Sequence, residues 1–301
     1  LDGAELGRDA AIKKFGMKGK WRILPKQFGE YNGKKVFETE QACIKTNTMS
    51  FEDYIECRNY SFILRLISSQ SFLPIYKLAK QLDISWFEVS KKLSELVQDK
   101  NFKGKLKDIF EGFCKESQNE LFETQKETMD FYSIDKAKAK AALDKKLVNG
   151  DIGDNLLGKY SALGLLHINE VISAIFYVMK NKFNIKTNLK LSKILESSEK
   201  WLKNIYMIDK IFDHDVNNQQ KQKIEIDFDF PSWLTEDKKP INSFIKEAVY
   251  EFSYDKNKLD YLRRELNIIS ASTNEIALGK LLLQQAARSF NIFEKQYTKI
   301  N

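Results

Sequence analysis

The residues best placed to do chemistry in this chain fall into a few short clusters. The segment DHDVNN, 213–218, sets Asp213, Asp215 and Asn217 at the i, i+2, i+4 spacing of a calcium loop. Its sixth position is Asn218 rather than Gly, its twelfth is Ile224 rather than a bidentate Glu, and Lys221 and Lys223 put positive charge into the cage. The ligand count fails, so a solvated loop is expected and no metal ligands are assigned. The run KNKFNIKTNLKLSK, 180–193, interleaves five lysines with Phe183 and Ile185. An RNA-binding protein could stack bases on Phe183, but lysines also favour C-terminal helix turns, and nucleic acid is the weaker reading. Cys57 precedes Arg58, whose guanidinium could lower a thiol pKa. The two histidines, His167 and His214, lie far off in sequence, so nucleophilic catalysis has no local base. Gly150, Gly153 and Gly158 are not followed by GK[ST] and form no phosphate loop. No catalytic residue is assigned on motifs alone.

The totals agree with a helical domain that has no catalytic machinery of its own. The 301 residues can bury a real core as one large domain or two ordinary ones. Against 49 Lys+Arg stand 42 Asp+Glu, a net +7 spread over 30% charged residues with the signs interleaved. A dedicated nucleic-acid domain concentrates its charge on one face. Cys43, Cys57 and Cys114 are odd in number and widely spaced, which fits reduced, mostly buried thiols in a cytoplasmic protein rather than a disulfide framework or a zinc knuckle. No secretory signal opens the chain, and Leu1 in place of an initiator Met suggests a piece of something longer. The run 161–179 is apolar but carries His167, Asn169 and Glu170, so it is expected to be a buried helix and not a membrane span.

The elements that must position these residues change character near residue 50. AELGRDAAIKKFG predicts a short helix stopped by Gly16. KWRIL predicts a short strand ended by Pro25, and Asn32-Gly33 a hairpin turn into a second extended segment, 35–46. Ser50, with Glu52 and Asp53 behind it, has helix N-cap chemistry. Helices are then expected over about 51–66, 75–82 and from a Ser85–Glu88 capping box. Further helices are expected near 103–131, 134–148, 168–183, 188–212, 241–252, 255–267 and 273–295, the last opened by a Ser272–Glu275 box. Residues 147–155 read as a turn, 215–223 as a polar loop, and 224–230 as a strand. The expected fold class is mainly α, with a short N-terminal α/β segment followed by a multi-helix domain.

The N-terminal stretch also resembles a known family. The family pattern has a "PGTEL"-like loop, a helix ending in "YGM", a segment like "RxLPRxFGxY", an acidic strand, and "TxTMSFEDYxxxR". Here the matching pieces are Gly3 to Leu6, Phe15-Gly16-Met17, Arg22 to Pro25, Phe28 to Tyr31, and Thr46 to Arg58. This resembles the region just after the catalytic core of cobalamin-binding radical S-adenosylmethionine enzymes. It covers about a fifth of the chain. Asp2 and Ala4 stand where the family has Pro and Thr, and Lys26 where it has Arg.

The resemblance implies that residues 1–66 are the C-terminal end of a partial β/α barrel with its edge-covering hairpin. Residues 67–301 would be a helical extension, broken near 213–223. Leu1, Asp2, Gly3 and Glu5 would lie near the adenosine part of S-adenosylmethionine, and Asp53 and Arg58 become candidates for substrate contact. Capping by Asp53 and an ion pair by Arg58 are the plainer readings of those two residues. The implied parent enzyme holds a four-iron, four-sulfur cluster, S-adenosylmethionine and cobalamin, and acts on an unactivated carbon. The CxxxCxxC that holds such a cluster is absent from this sequence, so both it and the cobalamin domain would lie before Leu1, and this chain alone is expected to be inactive. A non-enzymatic helical interaction module and an RNA-binding helical protein are the rival readings.

Overall fold

The computed structural model describes residues 7–133, 152–183, 188–211, 220–236, 239–268, 275–288 and 290–300. The expected helix at 134–148, the Ser272–Glu275 capping box and the DHDVNN segment lie wholly or largely outside them. The fold is mainly helical, with a two-stranded and a three-stranded sheet. The chain divides into two compact units. One is formed by residues 1–62 and 110–160, the other by 63–109 and 161–301.

The first unit opens with α1, Asp9–Phe15, which ends on Gly16 at φ 60°. That left-handed stop is the glycine cap expected from sequence. Strand β1, Lys18–Tyr31, then pairs antiparallel with β2, Lys34–Lys45. Asn32 at φ 49° and Gly33 at φ 74° make the turn between them, the geometry that Asn-Gly favours. The first strand does not stop at Pro25. It runs on to Tyr31, and the pairing register shifts between Ile23 and Phe28. Lys26, at φ 62°, absorbs the irregularity there. A bulge lets a proline sit in a strand without costing a regular ladder bond.

From Phe51 the chain is helical in α2, Phe51–Ile67. The helix expected over 103–131 is two helices, α5, Lys105–Asn119, and α6, Gln125–Tyr132. Between them Phe122 bridges Trp21 of β1, its N–H and C=O each 2.7 Å from their partners. Thr124 then restarts the helix with a capping box to Glu127. Strand-like pairing at Phe122 thus overrides a helical pattern that looked continuous. Ile23, Phe37 and Tyr132 are buried together, with Phe28, Phe122 and Met129 packed around them. A second aromatic knot joins Phe62 of α2 to Phe113 of α5 at 4.8 Å. Tyr160, in the first part of α7, Leu156–Leu166, meets Phe113 edge-on at 5.6 Å.

In the second unit α3, Leu73–Gln81, and α4, Trp86–Gln98, carry the expected apolar stripes, and Ser85 caps α4 by accepting from the Glu88 amide. The apolar run 161–179 is not one helix. It breaks at His167 between α7 and α8, Ile168–Lys182, with a bend of 89°. Ala162, Leu165, Val171, Ile172, Ile175 and Phe176 are buried, so its apolar residues serve the core. No single described helix is long and apolar enough to cross a membrane.

Helix α9, Leu189–Ile205, starts on Asn188, whose side chain accepts from the Lys190 and Leu191 amides. Strand β3, Lys221–Ile226, takes up only the first three residues of the expected strand and begins inside the expected loop. Residues 230–235 instead form a short helix, α10, Phe230–Thr235. The helix expected at 241–252 is a short 3-10 turn followed by β4, Ala248–Ser253. AVYEFS places Ala248, Tyr250 and Phe252 on one buried face and Val249, Glu251 and Ser253 on the other, a period-2 signal that the helical reading missed. Helix α11, Lys256–Ile268, lies where expected. Helix α12, Glu275–Arg288, ends before the expected limit, and Gln296–Lys299 forms β5. The sheet order is β3-β4-β5, antiparallel throughout.

Candidate functional site

The junction TNTMSFEDYIECR, 46–58, is where the first unit is tied together. Asn47 donates from Nδ2 to the Lys14 carbonyl at 3.1 Å, and its backbone N–H reaches the Phe15 carbonyl at 2.9 Å. It therefore satisfies carbonyls that α1 leaves open. Three residues on, Ser50 and Asp53 cap α2 reciprocally. The Asp53 amide donates to Ser50 Oγ at 3.0 Å, and the Ser50 amide to Asp53 Oδ2 at 2.8 Å. Those bonds from Ser50, backbone first and side chain second, hold the Asp53 carboxyl below the usual carboxylate range. One dense polar stretch thus closes one helix and opens the next.

Arg58 projects from the next turns of α2 into a charged cluster. Its guanidinium donates to Glu120 Oε1 at 2.7 Å, and the same oxygen receives Arg22 of β1 at 3.1 Å. Arg22 also binds Glu40 of β2, from Nε and Nη2, both at 2.7 Å. Glu120 is largely buried. Burial raises its pKa, and Arg58 and then Arg22 oppose that without cancelling it. One turn back on α5, Glu116 takes both oxygens to Lys159 at 2.9 Å. The phenols of Tyr132 and Tyr160 are pushed upward mainly by burial and then by these carboxylates. Three cations and three carboxylates neutralise one another and pin β1, β2, α2, α5 and α7 together. Arg58 also packs its guanidinium 5.9 Å from the Tyr54 and Phe113 ring centres.

The structure therefore brings Arg58 into an ion-pair cluster and puts Asp53 in a helix cap. Leu1, Asp2, Gly3 and Glu5 lie outside the described residues. Of the lysine run, Lys180 is bonded to Glu199 at 2.8 Å and Lys193 lies 3.3 Å from Asp227, which neutralises part of its charge. The cysteines are not the buried thiols expected from sequence: Cys43 and Cys57 are exposed and Cys114 half-buried, all as free thiols. Among the described residues no group of three or more His, Cys, Asp or Glu could hold a metal ion. The donor set of this chain does not fit an iron–sulfur cluster. No known family model and no curated protein matches the sequence.

Two further features belong to the second unit. An open groove of about 680 Å³ runs beside α8 and α9, lined by Phe102, Glu170, Tyr177, Lys180, Glu199 and Lys203 among others. Glu170 is already engaged there, accepting from the Leu106 amide at 3.1 Å at the start of α5. The other feature is Asp229, whose side chain is fully buried. It accepts from Tyr250 Oη at 2.6 Å and from Lys299 Nζ at 2.6 Å. Burial pushes its pKa up, but the bonds from Lys299 and Tyr250 outweigh that and leave it below the usual range.

Sequence reasoning missed Glu120 and Asp229. Glu120 closes what looked like an unbroken helix, so nothing local marked it. Asp229 sits in DFPS, an acid two residues before a proline, which is a helix-start signal that could have been read.

Proposed function

We propose that this chain is the C-terminal part of a radical S-adenosylmethionine enzyme that also uses cobalamin, with residues 1–66 closing the edge of its partial barrel. The reading rests first on the resemblance of Gly3–Arg58, and one structural observation supports it. The elements α1, β1, β2 and α2 follow in the order that resemblance implies, and α1 and the free edge of β2 are uncovered among the described residues. Helix α1 buries none of its seven residues, although it carries Ile12 and Phe15, 37% and 42% exposed. Among the described residues strand β2 pairs only with β1. Bare sheet edges and apolar helix faces are costly to leave in water, so they suit a segment that joins a further body of protein.

In such an enzyme the cluster and S-adenosylmethionine would supply the radical chemistry, on an unactivated carbon, from the portion preceding Leu1. The residues described here would position and enclose. The cluster of Arg22, Arg58, Glu40 and Glu120 would hold the hairpin rigid against α2 and α5, so that the edge it presents keeps one shape. Excluding water is what reactive intermediates require of their surroundings. Reading the coding sequence upstream of Leu1 tests the proposal. A CxxxCxxC motif within the few hundred residues upstream, a domain or two, is the expected result. An open reading frame that starts near Leu1, or extends upstream without that motif, would remove the reading.

A further inference from the structure

The outer edge of β4 is covered by a short strand seated through two side chains. Strand β5 is four residues long, exposed at every position, and among the described residues pairs with β4 alone. Its register sets Tyr297 opposite Phe252 and Lys299 opposite Tyr250, so both side chains fall on the inner face of the sheet. There the Tyr297 ring meets Trp201 edge-on at 4.7 Å and lies 6.0 Å from Tyr250. Tyr297 remains 44% exposed, whereas Trp201, Tyr250 and Phe252 beneath it are buried. Two residues on, Lys299 reaches the fully buried Asp229 carboxylate at 2.6 Å. A buried carboxylate robbed of its cation is strongly disfavoured. The second cation, Lys246, stands off at 4.0 Å. The chain just before the strand is fastened separately, by the Lys295 amide to the Ile205 carbonyl at 2.7 Å and the Met207 amide to the Phe293 carbonyl at 2.9 Å. Residues 296–300 can therefore leave without unpacking α12.

We propose that the β4 edge, with its aromatic floor and the Asp229 carboxylate at its end, is a peptide-binding groove that β5 occupies in cis. Its partner is an extended protein segment reading aromatic-x-lysine, which adds to the sheet as a strand. Backbone pairing supplies affinity, as in other strand-addition complexes. The aromatic floor and Asp229 select the two side chains, by ring packing and by charge complementarity respectively. The chain's own QYTK is the occupant whose fit is on view, and its departure is the event that admits another.

The test uses the full chain, as wild type and as Lys299→Met, with a labelled peptide KQYTKIN. The variant's own strand lacks the cation, so the peptide should bind it about tenfold more tightly than wild type. A peptide with Met in place of the second lysine should bind the variant about tenfold more weakly than KQYTKIN. On the wild-type chain, which needs no variant to fold, the amides of Gln296–Lys299 should exchange with solvent well before those joining β3 to β4. Equal binding of the two peptides, binding to neither protein, or equal protection of all three strands would overturn the proposal. So would a strand-exchanged dimer that takes up no peptide, since the groove would then belong to a second copy of the chain.

Discussion

Replacing Glu120 by Gln isolates the charged cluster of the first unit. The substitution keeps shape and volume and removes the negative charge that Arg22 and Arg58 share at 3.1 and 2.7 Å. Arg22 retains Glu40 at 2.7 Å, so it is not stranded. Arg58 loses its carboxylate and keeps at most a neutral amide oxygen, Ser117 Oγ at 3.5 Å and two aromatic rings, which is poor compensation for a guanidinium whose side chain is 18% exposed. Breaking one partner out of a buried pair costs about 3–5 kcal/mol. Because Arg58 and Glu120 keep some contact with water, the lower end, about 3 kcal/mol, is expected. With a urea slope of about 2 kcal/mol/M, the unfolding midpoint should fall by about 1.5 M. Adding Arg58→Met to Glu120→Gln removes the stranded cation, so the double variant should lose less than the two single losses combined, by about 1–3 kcal/mol. Urea unfolding followed by fluorescence, for the four proteins of this cycle, measures both quantities. A Glu120→Gln chain within about 0.5 kcal/mol of wild type would show that solvent already screens the cluster, and would refute its structural role.

Three more substitutions probe the fold. Gly33→Val at the hairpin tip should cost about 1–2 kcal/mol from backbone strain alone, since φ is 74° and nothing lies within 4 Å of an added Cβ; a urea midpoint equal to wild type would contradict this. Gly164→Val in α7 should cost about 1–3 kcal/mol by overpacking, because a Cβ there would sit 2.7 Å from Leu66 Cδ1; calorimetry reads the shift. The depressed pKa of Asp229 means that its contribution to stability is complete above its unfolded value of 3.8 and is lost as pH falls through the lower folded value. Asp229→Asn should flatten that acid limb of stability against pH, and an unchanged limb would show that other carboxylates govern it.

Local signals were legible where the chain's own neighbours decide the outcome. Gly16 as a helix stop, Asn32-Gly33 as a turn, Ser50 and Ser85 as caps, and the stripes of α3 and α4 all depend on residues within one or two turns. The signal weakened where distant partners intervene. Residues 120–124 look helical, but Phe122 pairs with Trp21, about a hundred positions away. Residues 248–253 were assigned to a helix because their alternation is short, and pairing to β3 on one side and β5 on the other decides for strand. The break at His167 is another tertiary decision, since apolar residues continue on both sides of it. At the candidate site the same division holds. The capping role of Asp53 could be read from SFED, whereas the partners of Arg58 come from β1 and the end of α5, and no sequence spacing announces them.

The most direct measurement is made on the longer parent protein that the proposal requires, purified without oxygen and loaded with iron and sulfide. It should assemble a four-iron, four-sulfur cluster and, on reduction, cleave S-adenosylmethionine. A cluster-loaded protein that leaves S-adenosylmethionine intact under reducing conditions, with its substrate class varied, would contradict the assignment of Leu1–Arg58 as the closing edge of such an enzyme's barrel.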